Sequence, residues 1–354
     1  MSSPAMQKYV QHDPGIGARE CFEFYGCAVE VTSADHGLVE EVRRDFMYFT
    51  CDTARGVDRD ATVRVEMRLE PPPYEALPAI PAAFLTPRNV CFRDGPIMYV
   101  DYFGRALAVV DRKRRSCLIY STDTHLAHEA AFQFILSTVG QHLDRRGLHR
   151  IHALGVRHRG KAVLLLLPSG GGKSTMALEL LRQPDFELIG EDTPLVDRRG
   201  RILPFPLRLG VRPGHDVEIP APHLRTVRRM EFDPKTLIDI DYFKGRLTEP
   251  DEPVEPGLIL IGERNLSQEC DIVPLAKRTA MKAMVKYMVV GLGVYQGLEF
   301  MLERGLQDLS GTGGVVSSRF YSSCRLLTRA PAYRFVLGRD IAKNTRCLLD
   351  FIRQ

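Results

Sequence analysis

The residues best suited to chemistry are Ser169, Gly170, Gly171, Gly172, Lys173, Ser174 and Thr175, followed one helix and one strand later by Glu191 and Asp192. Glycines let backbone N–H groups turn inward around phosphate oxygens, because no side chain blocks the approach. Lys173 would reach the outer phosphates of a nucleotide, and the Ser174 hydroxyl would bind Mg²⁺. Two carboxylates at a strand end could serve the same phosphate: one binding Mg²⁺, directly or through water, the other taking a proton from a substrate hydroxyl. Either acid fits either task. An exposed acidic turn is the plainer reading of the pair.

The elements around these residues must hold them in place. Ala162–Leu167 is a continuous apolar run, as expected of a buried strand, and Met176–Leu181 continues as a helix. The helix begins where the anion would sit, so its unpaired N–H groups and dipole favour phosphate. A surface turn would not need such a strand feeding it. One position departs from the usual phosphate-loop pattern, which calls for glycine where this chain has Leu167, followed by Pro168. Phe186–Ile189 reads as the short strand that carries Glu191 and Asp192 at its end.

Further elements follow from periodicity. One or two strands are expected in Cys21–Val31, a helix over Asp35–Tyr48 and a half-buried strand over Thr62–Leu69. The prolines between residues 70 and 90 mark a linker. Strands are expected at Ile97–Phe103, Ala106–Asp111 and Ser116–Tyr120, with Arg112–Arg115 as a charged hairpin tip. A helix should span Asp123–Leu143. Leu195–Asp197 and Ile202–Leu203 form a hairpin. Residues 204–235 read as a mobile loop over the site, with Arg208, Arg212, Arg225, Arg228 and Arg229 in the region that should face an acceptor; solvated side chains are the alternative for most of the five. Gly257–Gly262 is a buried strand, and Leu275–Val290 a helix with Met281, Met284, Val285 and Met288 inward. A strand over Ala332–Gly338 and a helix over Asp340–Ile352 close the chain.

The 354 residues suffice for one large domain or two ordinary ones, and 44% hydrophobic with 26% charged residues is ordinary soluble composition. A net charge of +4 does not point to nucleic acid. Eight scattered cysteines show no CxxC pair and no zinc spacing, as expected of reduced thiols in the cytoplasm. No apolar run approaches the ~20 residues needed to cross a bilayer, and the first residues, through about residue 19, read as a loose leader without a signal peptide's apolar core. A cytoplasmic protein without membrane partners is the expectation.

The order strand, Pro168-Ser-Gly-Gly-Gly-Lys-Ser174, helix, strand, Glu191-Asp192 resembles the HPr kinase/phosphorylase family and its diverged relatives, which share a core with phosphoenolpyruvate carboxykinases. The resemblance covers roughly residues 105–354 and implies an α/β (α+β) class, with a P-loop core of mixed sheet and a smaller N-terminal α+β domain over residues 1–104. It implies that Lys173 and the loop amides hold the β-phosphate, that Ser174 coordinates the metal, and that Asp192 is the better candidate for the base. Glu191 replaces the family's first aspartate. His152, about one strand upstream, is similar to a histidine that neighbours the reacting phosphate in that family; a hydrogen-bonded core histidine is the alternative. The glycine-arginine signature of true HPr kinases is missing after the acid pair, so HPr is not the expected substrate.

The expected function is an ATP- and Mg²⁺-dependent kinase, releasing ADP and acting on a hydroxyl of a peptide, protein or small molecule. The resemblance also implies a homo-oligomer. The alternative is a nucleotide-binding regulator without phosphotransfer.

Overall fold

Alternation of buried with less buried residues in Ala28–Ser33 and Val63–Arg68 builds two inner strands of the first sheet. The computed structural model describes residues 17–51, 62–168, 170–211, 219–227, 235–250, 252–291 and 309–354, and of 309–312 only the backbone. The chain forms two units: residues 1–139 with 224–237, and residues 140–223 with 238–354. It is a mixed α+β protein with several sheets. Among the described residues no helix is long and apolar enough to cross a membrane.

In the first unit, strands β1 (Ala18–Glu23), β2 (Ala28–Ser33), β3 (Val63–Arg68), β4 (Ala82–Leu85), β5 (Val90–Asp94), β6 (Ile97–Asp101), β7 (Ala106–Asp111) and β8 (Ser116–Ser121) form one sheet. Its order is β1-β2-β3-β8-β7-β6-β5-β4. The β2–β3–β8 pairings are parallel and the rest antiparallel. Helix α1 (His36–Phe46) starts where the Asp35 carboxylate accepts the Leu38 N–H at 2.8 Å, an N-cap. It buries Leu38, Val39, Val42 and Phe46, and Phe46 meets Phe22 and Phe24 edge-on.

Two expectations change here. The proline-rich stretch 70–90 is no linker: it contains β4, the edge strand, hydrogen-bonded to β5. Pro81 and Pro87 flank this strand and do not interrupt it, so no ladder bond is lost. Nor does the chain divide between residues 104 and 105, since that point is the turn of the β6–β7 hairpin, in which Asp101 pairs with Leu107. The division lies instead between Val139 and Gly140, within helix α2 (Thr124–Arg145).

The second unit holds β9 (His149–Arg150), β10 (Leu154–His158), β11 (Lys161–Leu166), helix α3 (Lys173–Leu181), β12 (Phe186–Gly190), β13 (Leu195–Val196), β14 (Ile202–Leu203) and β15 (Leu209–Val211). The chain then contributes β16 (Leu224–Val227) and β17 (Lys235–Ile238), which lie mainly in the first unit, before returning. The closing elements are β18 (Glu255–Arg264), β19 (Asp271–Pro274), α4 (Lys277–Met284), α5 (Leu309–Arg329), β20 (Ala332–Leu337) and α6 (Ile341–Arg353). The main sheet runs β12-β10-β11-β18-β20-β19, with β11, β18 and β20 parallel at its centre. Ala162, Leu164 and Leu166 on β11 and Ile259 and Ile261 on β18 join Met284, Met288, Leu326 and Leu327 in one core. The β13–β14 hairpin forms as expected.

Among the described residues between 204 and 235, two short strands replace part of the expected loop: Leu209 and Val211 are buried on β15 and Val227 on β16. Arg225 is engaged within the first unit. Its guanidinium donates to Glu41 at 2.8 Å and to the fully buried Asp45, which is also 2.9 Å from His128 Nε2. Buried charge needs such pairing, which explains why this arginine leaves the solvent. Arg212, Arg228 and Arg229 lie outside the described residues, as does the leader through residue 16. The methionine helix ends at Met284 and passes into a π-helical turn over Val285–Val289, which leaves Val285 exposed while Met284 and Met288 stay inside.

Candidate functional site

Every residue of the site belongs to the second unit. Strand β11 is buried from Ala162 to Leu166 because it lies between β10 and β18, and the chain leaves it through Leu167 and Pro168 into a tight turn. The Gly171 N–H donates to Pro168 O at 2.9 Å. Gly170 and Gly172 have φ of 71° and 105°, a region that favours glycine. A Cβ on Gly171 would meet Pro168 O at 2.8 Å. The glycine triplet is thus required by the turn itself. Ser169 lies outside the described residues.

Leu167 has a structural partner. A Cβ on Gly262 of β18 would come within 2.2 Å of Leu167 Cδ2, so glycine at 262 leaves the space that this leucine fills. The side chain is fully buried and directed at the sheet, and the turn keeps its shape through the glycines that follow.

Lys173 opens α3, with Gly172 as its N-cap, and the first bond of the helix runs from Met176 N–H to Gly172 O at 2.9 Å. The backbone N–H groups of Lys173, Ser174 and Thr175 therefore precede the helical ladder. The Lys173 side chain is buried. Its ammonium donates to His152 Nε2 at 2.8 Å and to Leu167 O at 3.1 Å, and stands 3.4 Å from Asp192 Oδ1. One residue along, Ser174 Oγ donates to Glu191 Oε1 at 2.5 Å.

The acids hold their positions because β12 ends at Gly190, where a Cβ would meet Phe205 O at 3.0 Å. Glu191 is buried at 5% exposure, whereas the Asp192 side chain is 47% exposed. Consecutive residues of the helix thus meet consecutive residues of the strand end in reverse order: Ser174 with Glu191, and Lys173 with Asp192.

His152 lies in the bend between β9 and β10. Its N–H donates to Tyr287 O at 3.0 Å, and its ring stacks on that of Tyr287 at 6.0 Å between centroids. Burial, with the Lys173 ammonium acting in the same direction and Asp192 opposing, lowers the His152 pKa to about 4. The ring is therefore neutral at pH 7. Since Nε2 accepts from Lys173, the proton is assigned to Nδ1, which is buried without a hydrogen-bond partner, 3.8 Å from Asp192 Oδ1.

Two residues of the site carry no signal in the local sequence. Arg264, at the end of β18, donates from Nε and Nη2 to Gly171 O at 3.2 and 3.0 Å. Tyr287 owes its place to the π-helical turn, a feature often found near functional sites.

The oxygen set of Ser174 and Glu191 suits Mg²⁺, which usually takes few protein ligands and keeps waters and phosphate oxygens. Among the described residues no group of three or more histidines, cysteines and acids is arranged to hold a metal alone. The described cysteines are all free thiols.

No protein-family model matches the chain, and no curated protein matches it.

Proposed function

We propose that the protein is an ATP-dependent kinase that transfers the γ-phosphoryl group to a hydroxyl of a peptide, protein or small molecule, as a diverged relative of HPr kinase/phosphorylase. The observation that carries this reading is the paired meeting of Ser174 with Glu191 and Lys173 with Asp192, at the mouth of a glycine turn that opens a helix.

The loop and first-turn amides would hold the β- and γ-phosphates, and Lys173 would add a positive charge from a water-poor position. Ser174 and Glu191 would hold Mg²⁺, which supplies charge neutralisation on the phosphate oxygens when bound. Asp192 is the more accessible acid and stands beside Lys173, so it is the one an acceptor hydroxyl can reach. In the transfer, the acceptor oxygen forms a bond to the γ-phosphorus and the bond to the β,γ-bridging oxygen breaks. The hydroxyl proton passes to Asp192 and ADP leaves. His152, neutral and fixed by Tyr287, would orient the Lys173 ammonium. This division of labour gives Glu191 to the metal and Asp192 to the proton.

The test is incubation with γ-labelled ATP, Mg²⁺ and cell extract, alongside Lys173→Ala and Asp192→Asn. A labelled product made by the wild type and by neither variant supports the kinase. Stabilisation by ATP with no labelled product in any extract sinks it in favour of a nucleotide-binding regulator.

A further inference from the structure

Arg264 is an exposed residue, yet its guanidinium is engaged with the backbone of the glycine turn. Nε and Nη2 both donate to one acceptor, Gly171 O. Nη2 also lies 3.0 Å from the point that a Cβ on Gly172 would occupy, so glycine at 172 leaves room for the guanidinium.

The Gly171–Gly172 peptide is planar, and the described chain contains no cis peptide bond. In a trans peptide the C=O and the following N–H point in opposite directions. A group that holds Gly171 O therefore also aims the Gly172 N–H the other way. Gly170 and Gly172 flank this unit with positive φ, and glycine crosses between signs of φ more readily than any other residue. The turn's own hydrogen bond, Gly171 N–H to Pro168 O, ties the preceding peptide and leaves the Gly171 carbonyl to Arg264.

We propose that Arg264 is a positioning residue that fixes the Gly171–Gly172 peptide, so that the Gly172 N–H is presented to a phosphate oxygen of the bound nucleotide. The proposal rests on the nucleotide-binding reading above. Arg264 acts through the backbone it orients. The guanidinium suits this task because its planar fork reaches one carbonyl with two N–H groups, whereas an ammonium is a point charge on a flexible stem. A fixed N–H would serve ATP and ADP alike, since both present a β-phosphate to the same loop.

The experiment compares wild type, Arg264→Lys and Arg264→Gln in two measurements. The first is hydrogen–deuterium exchange of the peptide covering residues 168–176, without nucleotide. The second is calorimetric affinity for ATP and for ADP with Mg²⁺. In Arg264→Gln the loop should exchange faster while the rest of the chain exchanges as before, and both nucleotides should weaken by the same factor, about tenfold. Arg264→Lys should fall between the two. Unchanged loop exchange overturns the proposal, and with ATP alone weakened it would make Arg264 a γ-phosphate contact instead. A wild type that binds neither nucleotide overturns the underlying reading; a wild type that binds, with Arg264→Gln equally tight, overturns this proposal alone.

Discussion

The Lys173 ammonium donates to His152 Nε2 at 2.8 Å, inside a site whose other cation contacts are the Leu167 carbonyl and the Asp192 carboxylate. Because the imidazole is neutral, that contact brings no opposing charge to the lysine.

Lys173→Ala should weaken ATP and ADP binding by roughly a hundredfold, because a charge-assisted contact in a water-poor site is lost. Isothermal calorimetry reads this directly. Asp192→Asn should leave the ATP affinity within about threefold and cut turnover by 10² or more, on the order of what a general base contributes. If Asp192→Asn turns over at the wild-type rate, the assignment of the base is wrong.

Glu191→Gln keeps an oxygen for the Ser174 hydroxyl and removes a negative charge. The Mg²⁺ concentration needed for half-maximal activity should rise by roughly tenfold or more, since ligand charge governs affinity for hard cations. A Mg²⁺ titration at saturating ATP checks it. An unchanged requirement would move the metal to Asp192.

His152 sets a pH dependence. Its folded pKa of about 4 lies below the ordinary 6.5, so between those values the unfolded chain binds more protons than the folded one. Stability therefore rises with pH through that window and is lost as pH falls from about 6.5 towards 4. The contribution is on the order of 3 kcal/mol. Denaturant titrations at pH 5 and pH 7.5 should show a larger loss at pH 5 for wild type than for His152→Gln, which removes the titrating group.

Arg225→Ala should destabilise the first unit by about 3 kcal/mol, because it leaves the buried Asp45 with His128 but without its strongest cation. Thermal unfolding measures the change. If stability is unaffected while acceptor phosphorylation falls, Arg225 serves recognition after all.

The glycine turn, its strand and its helix are legible in the sequence because each is local: an apolar run, residues that permit positive φ, and a helical stretch follow in order. The acid pair is legible by spacing. Which acid does what is not, since it depends on how α3 crosses the end of β12, and that crossing alone puts Glu191 against Ser174. Strand β4 is hidden because it is only four residues long and lies between Pro81 and Pro87. Helix α5 has no signal at its start, where Gly311, Gly313 and Gly314 are poor helix formers and tertiary packing of Leu326 and Leu327 must supply the stability. Arg264 was hidden for a related reason. It reaches the turn from a strand distant in sequence, and nothing near Gly171 announces it.

The fit of Leu167 against Gly262 has an evolutionary consequence. Leu167, just past the end of β11, and Gly262 on the neighbouring β18 share one volume, so neither is free to change alone. A relative that regains glycine at position 167 would open a void unless position 262 grew to fill it, and a relative with a side chain at 262 would have no room for leucine at 167. The two positions should therefore exchange size as a pair. The leucine at 167 and the glycine at 262 are then two halves of one packing solution.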